Sequence, residues 1–155
     1  MMFNTSKVTD ERWMRLALEQ AKQAESEGEV PVGAVVMIDE KIIGQGRNQS
    51  LGFHDPSAHA EIMAMRQAGK TLSNYRLPGS TLYVTLEPCM MCAGAILHAR
   101  IERVVFGTRD EKTGAVGSIA NLLENPLANH RCRVTADILS EQSRLLLANF
   151  FQQRR

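Results

Sequence analysis

The sequence predicts an α/β domain of three layers, α/β/α, around a mixed sheet of about five strands. Three observations carry this. From 33 to 107 the apolar patterns run strand, helix, strand, helix, strand, which demands crossover connections and so some parallel pairing. Within that run "VGAVVMIDEKIIGQGRN" reads as two strands joined by a tight turn at Asp39-Glu40, which adds an antiparallel pair. Amphipathic helical patterns flank the run on both sides and supply cover for the sheet.

The first helix is predicted to start from a cap at Thr9 or Asp10. Trp13, Leu16, Ala17, Ala21 and Ala24 follow the helical period, and Gly28 is its stop. After the two strands, Ser57 is expected to cap a second helix that ends at Gly69. "STLYVTLE" is a β-rich strand, "CMMCAGAILHA" a helix and "ERVVFG" another strand. A Gly-rich loop, "KTGAVGS", leads to an expected short helix near 118–124 and a fifth strand at 131–135. The final helix is predicted from Asp137, with Ile138, Leu139, Leu145, Leu146 and Phe150 on its apolar side.

A length of 155 residues suits one domain, 1–155, that buries about two-thirds of its unfolded surface. "MMFNTSKV" has no apolar signal-peptide run, and no stretch approaches the ~20 apolar residues of a membrane span. Three cysteines argue against a disulfide framework, so the expected setting is cytoplasmic with no membrane. The net charge of +1 is unevenly placed: 131–155 holds five arginines against two acids. That end is either a solvated helix or a polyanion contact.

Chemistry concentrates in "SAHAEIMAM" at 57–65 and "TLEPCMMCAGAI" from 85 into the third helix. Cys89 and Cys92 open a helix just after Pro88, on one face, where the helix dipole favours thiolates. His59 and Glu61, two apart, cannot share a helix flank but can share its mouth. Two helix N-termini facing one spot would join His59, Cys89 and Cys92 into a Zn²⁺ site with three protein ligands and one open position, the arrangement of catalytic zinc. Glu61 is then the adjacent proton acceptor. The competing readings are a redox Cys-x-x-Cys, and a closed structural site that takes a fourth ligand from Cys132, His54, His98 or His130. Taken singly, Cys132 reads as a buried small apolar side chain and His98 as a helix C-terminal residue.

His-Ala-Glu followed by Pro-Cys-x-x-Cys resembles the signature of the zinc-dependent nucleobase deaminases. Within that superfamily, "EVPVGAVV", "HDPSAHAEIMAMRQ", "NYRLPGSTLYVTLEPCMMCAGAILHARIERVVFG", "RDEKTGAVGS", "NHR" and "FFQQRR" look like the bacterial tRNA adenosine deaminases over nearly the whole chain. The resemblance implies a cytidine deaminase-like fold and one Zn²⁺ on His59, Cys89 and Cys92, with Glu61 as proton shuttle. The implied activity is hydrolytic deamination of adenosine to inosine at the wobble position of a tRNA anticodon stem-loop. It further implies that Asn48, Ala60 and Val30 hold the base, and that Arg76, Asp110, Lys112, Asn129, Phe151 and Arg155 contact RNA. An acid is wrong for phosphate but suits a ribose 2′-OH, which is the role expected of Asp110. Phe150 continues the Leu146 row, leaving Phe151 for a base or a partner chain.

Met63, Met65, Met90 and Met91 crowd the two site-bearing helices. Such faces are adaptable contact surfaces or plain core, and the resemblance favours a homodimer. Two other functions compete: a free-base or nucleotide deaminase acting on guanine or cytosine, and a non-catalytic zinc-stabilised interaction module.

Overall fold

A computed structural model describes residues 2–154, with side chains from 6 onward. Its elements are α1 (Met2–Ser26), β1 (Gly33–Ile38), β2 (Lys41–Arg47), α2 (Ser50–Phe53), α3 (Ala60–Leu72), β3 (Thr81–Leu86), α4 (Met90–Ala99), β4 (Arg103–Thr108), β5 (Arg133–Thr135) and α5 (Ser140–Gln153). The sheet order is β2-β1-β3-β4-β5. β1 pairs antiparallel with both β2 and β3, whereas β3–β4 and β4–β5 are parallel. The mixed five-stranded sheet of the α/β expectation is therefore present.

The layers follow from period-2 alternation in strands buried on both faces. Ala34, Val36, Leu82, Val84, Val104 and Phe106 point into the core shared with α3 and α4. Val35, Met37, Tyr83 and Val105 point the other way, against Trp13, Met14 and Ala17 of α1 and against Ile138. Asp39 and Glu40 both take positive φ, 49° and 63°, the pair of left-handed residues that a two-residue hairpin turn requires. Gly44 and Gly46 let α3 lie directly on β2. A Cβ at Gly44 would stand 2.3 Å from the Ala64 carbonyl oxygen, and one at Gly46 2.5 Å from the Ala64 nitrogen. No side chain fits there, so the glycines set the height of α3 and with it the start of that helix.

Four expectations are corrected. α1 starts before Thr9, and Asp10 is no cap: buried, it accepts from the Tyr83 hydroxyl at 2.9 Å and from the Arg103 guanidinium at 2.9 and 2.6 Å. A buried acid met by two long-range donors serves the core better than a helix end. Ser57 caps no helix either, because its hydroxyl and N–H both turn back to Asp55 Oδ1. His59 takes the cap position, and the helix runs past Gly69 to Leu72, closed by Ser73 in the left-handed region. The segment 118–124 forms no helix. Val116 and Asn121 make a bridge around a turn, and the Leu122 N–H, which a helix from 118 would direct to the Ser118 carbonyl, bonds to the Ala115 carbonyl instead. Finally, Asp137 and Leu139 both have positive φ, so α5 starts at Ser140 while Ile138 drops into the core.

Candidate metal centre and substrate pocket

Two helix N-termini converge at one end of the sheet. His59 and Cys89 are the residues just before α3 and α4, each with extended backbone, and their carbonyls accept the first helical bonds from Met63 and Ala93. An extended cap directs its side chain off the helix end rather than along its flank. Cys92 lies one turn into α4, on the same face as Cys89. His59 Nδ1 stands 3.6 Å from Cys89 Sγ and 3.5 Å from Cys92 Sγ. Tetrahedral Zn²⁺ with bonds of ~2.0–2.1 Å to nitrogen and ~2.3 Å to sulfur would hold such donors about 3.6 Å apart. The residues fit the metal, in donor type as well as in spacing.

The protonation pattern of the site agrees. Bonds from Cys92 and His59 push the Cys89 thiol down to about 4, while Cys92, bonded to that sulfur and buried, is pushed up. Binding a divalent cation would require both sulfurs as thiolates. The Cys89 bond also raises His59. Glu61 is buried, and burial is the main cause that pushes its carboxyl up to about 7.

Among the described residues, no fourth His, Cys, Asp or Glu joins the group. Cys132 is buried and donates to the Ile101 carbonyl at 3.0 Å, and His130 Nε2 meets the same oxygen at 2.7 Å. His98 sits in the last turn of α4, and His54 closes α2. The closed structural site proposed from sequence therefore lacks its ligand.

A cavity of about 200 Å³ opens in front of His59 and Cys89. This is smaller than the ~300–1,000 Å³ of sites for drug-sized ligands and suits one flat heterocycle. Val30, Val32 and Leu86 supply apolar lining, while Asn48, Ala60, Glu61, Asp110 and Thr113 complete it. Asn48 Oδ1 accepts from the Ser50 hydroxyl at 3.0 Å, leaving Nδ2 without a partner among the described residues. The buried Glu29 accepts the Leu51 and Gly52 N–H groups at 3.1 and 2.8 Å and so holds α2, just beyond Asn48.

Val30, Leu86 and Asp110 are shared with a second cavity of about 610 Å³, where Lys112, Arg109, Arg144 and the 48%-exposed Phe151 stand. Phe150 is buried, as its row predicts. Asp110 is in place but is not idle. Oδ1 accepts from the N–H groups of Lys112 and Thr113 at 3.0 and 3.1 Å, and Oδ2 accepts from the Thr113 hydroxyl at 2.7 Å. Two expected RNA contacts are not brought to this pocket. Arg76 follows α3 and lies over the Tyr75 ring, and Asn129 lines a separate cavity with His98 and Arg100 at the far end of α4. That end is about 15 Å from the helix mouth, at 1.5 Å per residue over ten residues. Arg155 lies outside the described residues.

Sequence reasoning missed Val32, Leu86 and Thr113 in the lining and the two buried acids, Glu29 and Glu87. Glu87 precedes Pro88-Cys89 and accepts four hydrogen bonds from 110–118. An acid at the end of a strand this apolar was the available signal.

Comparison with known proteins gives the family of the chain. A family model described as MafB19-like deaminase matches residues 8–155. The chain is 55% identical over 147 residues to a tRNA-specific adenosine deaminase of Haemophilus influenzae, covering 94% of this chain and 85% of that one. It is 44% identical over 146 residues to the protein of the same name from Bacillus subtilis, covering 94% and 91%. A solved structure from work on A-to-I editing by tRNA:A34 deaminases at the wobble position superposes with a TM-score of 0.85. That match has 42% identity and covers 88% of this chain and 99% of the other. A guanine deaminase from Nitrosomonas europaea, 24% identical, superposes with a TM-score of 0.77 over 90% of this chain and 83% of its own, a likeness of fold alone.

Proposed function

The chain belongs to the tRNA-specific adenosine deaminases, and we infer from that membership and from the site that it hydrolyses the adenosine at the first anticodon position of tRNA to inosine. One observation carries the mechanism: three metal-ligating side chains converge at the mouth of a base-sized pocket beside a buried fourth group, Glu61, that is not among them. Zn²⁺ on His59, Cys89 and Cys92, one per chain, would lower the pKa of water and supply the nucleophile. Glu61 would take one proton from water and pass it to the ring nitrogen beside C6, and would then take the second, from the new hydroxyl on C6, and pass it to the amine as the C6–N bond breaks and the carbonyl forms. A carboxyl poised near 7 by burial can both accept and donate at neutral pH.

Binding of the base falls to Val30, Ala60 and Asn48. The free Nδ2 of Asn48 can donate to a ring nitrogen while Ser50 fixes the amide. An anticodon loop presents its bases unpaired, so taking adenine from its stack costs little. Lys112, Phe151 and Asp110, around the neighbouring cavity, are placed to meet flanking nucleotides. A tRNA substrate puts the enzyme in the cytoplasm, and no described helix is long and apolar enough to cross a membrane.

A homodimer completes the reading. Between α3 and α4 runs a groove of about 810 Å³ with Ile62, Met65 and Ala95 in its lining, and Met90 and Met91 of α4 are 54% and 40% exposed. A second copy in the groove would also lie close to Arg76 and Asn129, which the chain's own pocket does not reach. Sedimentation at micromolar concentration should give the dimer mass; monomer alone would remove this part of the reading.

Incubating purified enzyme with tRNA and sequencing the product tests the activity. The expected result is A-to-I change confined to the wobble position, with free adenosine scarcely touched. Unchanged tRNA together with rapid deamination of free guanine would overturn it.

A further inference from the structure

We propose that Glu87 is a positioning residue for the reaction: it holds the 110–118 loop as a wall of the substrate pocket and thereby sets how tightly the RNA is bound. The proposal rests on the reading that the pocket takes an adenosine carried by RNA. Glu87 touches neither the base site nor the metal ligands' donor atoms; it acts through the loop.

The geometry is a relay of two carboxylates. Glu87 Oε1 accepts from the Asp110 N–H at 3.0 Å and from the Ser118 hydroxyl, and Oε2 accepts from the Val116 and Ser118 N–H groups at 2.9 and 3.0 Å. These bonds occupy both oxygens of a buried carboxylate with donors from a single irregular loop. The loop lies hard against it, since a Cβ at Gly114 would stand 2.3 Å from the Glu87 carboxyl carbon. Asp110, anchored by its backbone, then uses its own carboxylate to fold Lys112 and Thr113 into a turn. Asp110 and Thr113 line the pocket together with Asn48 and Glu61. Without helix or strand of its own, the wall keeps its shape through these charge-assisted bonds.

Glu87→Gln separates this role from bulk packing, because the amide has the same shape. In the orientation that costs less, its oxygen still accepts from Val116 and Ser118, and the Ser118 hydroxyl can turn to accept from the new NH₂. Only the Asp110 N–H is then left facing a donor. The variant should retain one zinc per chain and its fold, while kcat/KM on a wobble-A anticodon hairpin falls about tenfold, carried mainly by KM. That is the scale of one charge-assisted hydrogen bond lost from a binding wall. Amide exchange should accelerate in 110–118 and not in α3. Ser118→Ala, which removes the hydroxyl donor alone, should act in the same direction by about threefold, and it provides the test if Glu87→Gln does not fold.

Unchanged KM, loop exchange equal to wild type, or a loss that only follows missing zinc or unfolded protein would overturn the proposal. Failure of the wild-type enzyme to deaminate the hairpin would instead count against the activity, and the exchange measurement would still decide the role of Glu87.

Discussion

The substrate pocket has two walls made by opposite means. One is the pair of helix mouths that present His59, Cys89 and Cys92, with Glu61 in the first turn of α3. The other is the irregular loop 110–118, whose shape depends on Glu87, a residue of a different segment. In the first wall each ligand sits within a turn of a helix start, so its direction follows from local backbone geometry. In the second, Asp110 folds its own turn, but the loop is held in place by one buried carboxylate from outside it, which substitutes for secondary structure. Damage to the helix wall should therefore be nearly all-or-none, and damage to the loop wall graded.

The sharpest way to break that contrast is to remove a metal ligand. Cys89→Ala or Cys92→Ala should abolish zinc binding and activity together and lower the thermal midpoint, because metal binding is coupled to folding. Elemental analysis of wild type should find about one zinc per chain. A variant that keeps both metal and turnover would show that the cluster is not the catalytic centre.

Glu61→Ala comes next. Zinc and hairpin binding should survive, while the single-turnover rate falls by at least the ~10²–10⁴ of general acid–base catalysis, since one group serves several proton transfers. Turnover within tenfold of wild type would remove Glu61 from the mechanism. Glu87→Gln, at about tenfold, then marks the step down from the helix wall to the loop wall.

The same division explains what could be read from the sequence. The five strands, the helices between and around them and the Asp39-Glu40 turn depend on patterns within a few residues, and the structure reproduces these; it also brings His59, Cys89 and Cys92 together as a group that could hold a metal ion. The misreadings lie where a distant partner wins. Asp10 has the composition of a cap, but Tyr83 and Arg103 claim it, and in 118–124 the Leu122 N–H goes outside the segment to the Ala115 carbonyl. Glu29 carries no sequence signal because its partners, Leu51 and Gly52, belong to a one-turn helix with almost no pattern of its own. Long-range hydrogen bonds of buried acids leave no periodic trace in a chain.

The smallest expected effect concerns Asp110, and it sharpens the comparison by asking what the loop wall reads. Three donors already occupy its carboxylate, two on Oδ1 and one on Oδ2, which leaves one acceptor direction on Oδ2 for a ribose hydroxyl. In Asp110→Asn the remaining oxygen can keep the Lys112 and Thr113 N–H groups, and the Thr113 hydroxyl can turn to accept from the new NH₂. The turn should survive while the acceptor aimed at the substrate is lost. RNA, which carries the 2′-OH, should lose a few-fold in single-turnover rate at subsaturating enzyme, about one hydrogen bond's worth. A DNA hairpin of the same sequence has no such bond to lose, so its rate should hold steady and the RNA-over-DNA ratio should narrow. Equal rates on RNA and DNA with the unaltered enzyme would exclude 2′-OH readout at this wall. A parallel loss on both substrates would mean that Asp110 serves only to fold the loop, leaving Glu87 and Asp110 as two links of one scaffold.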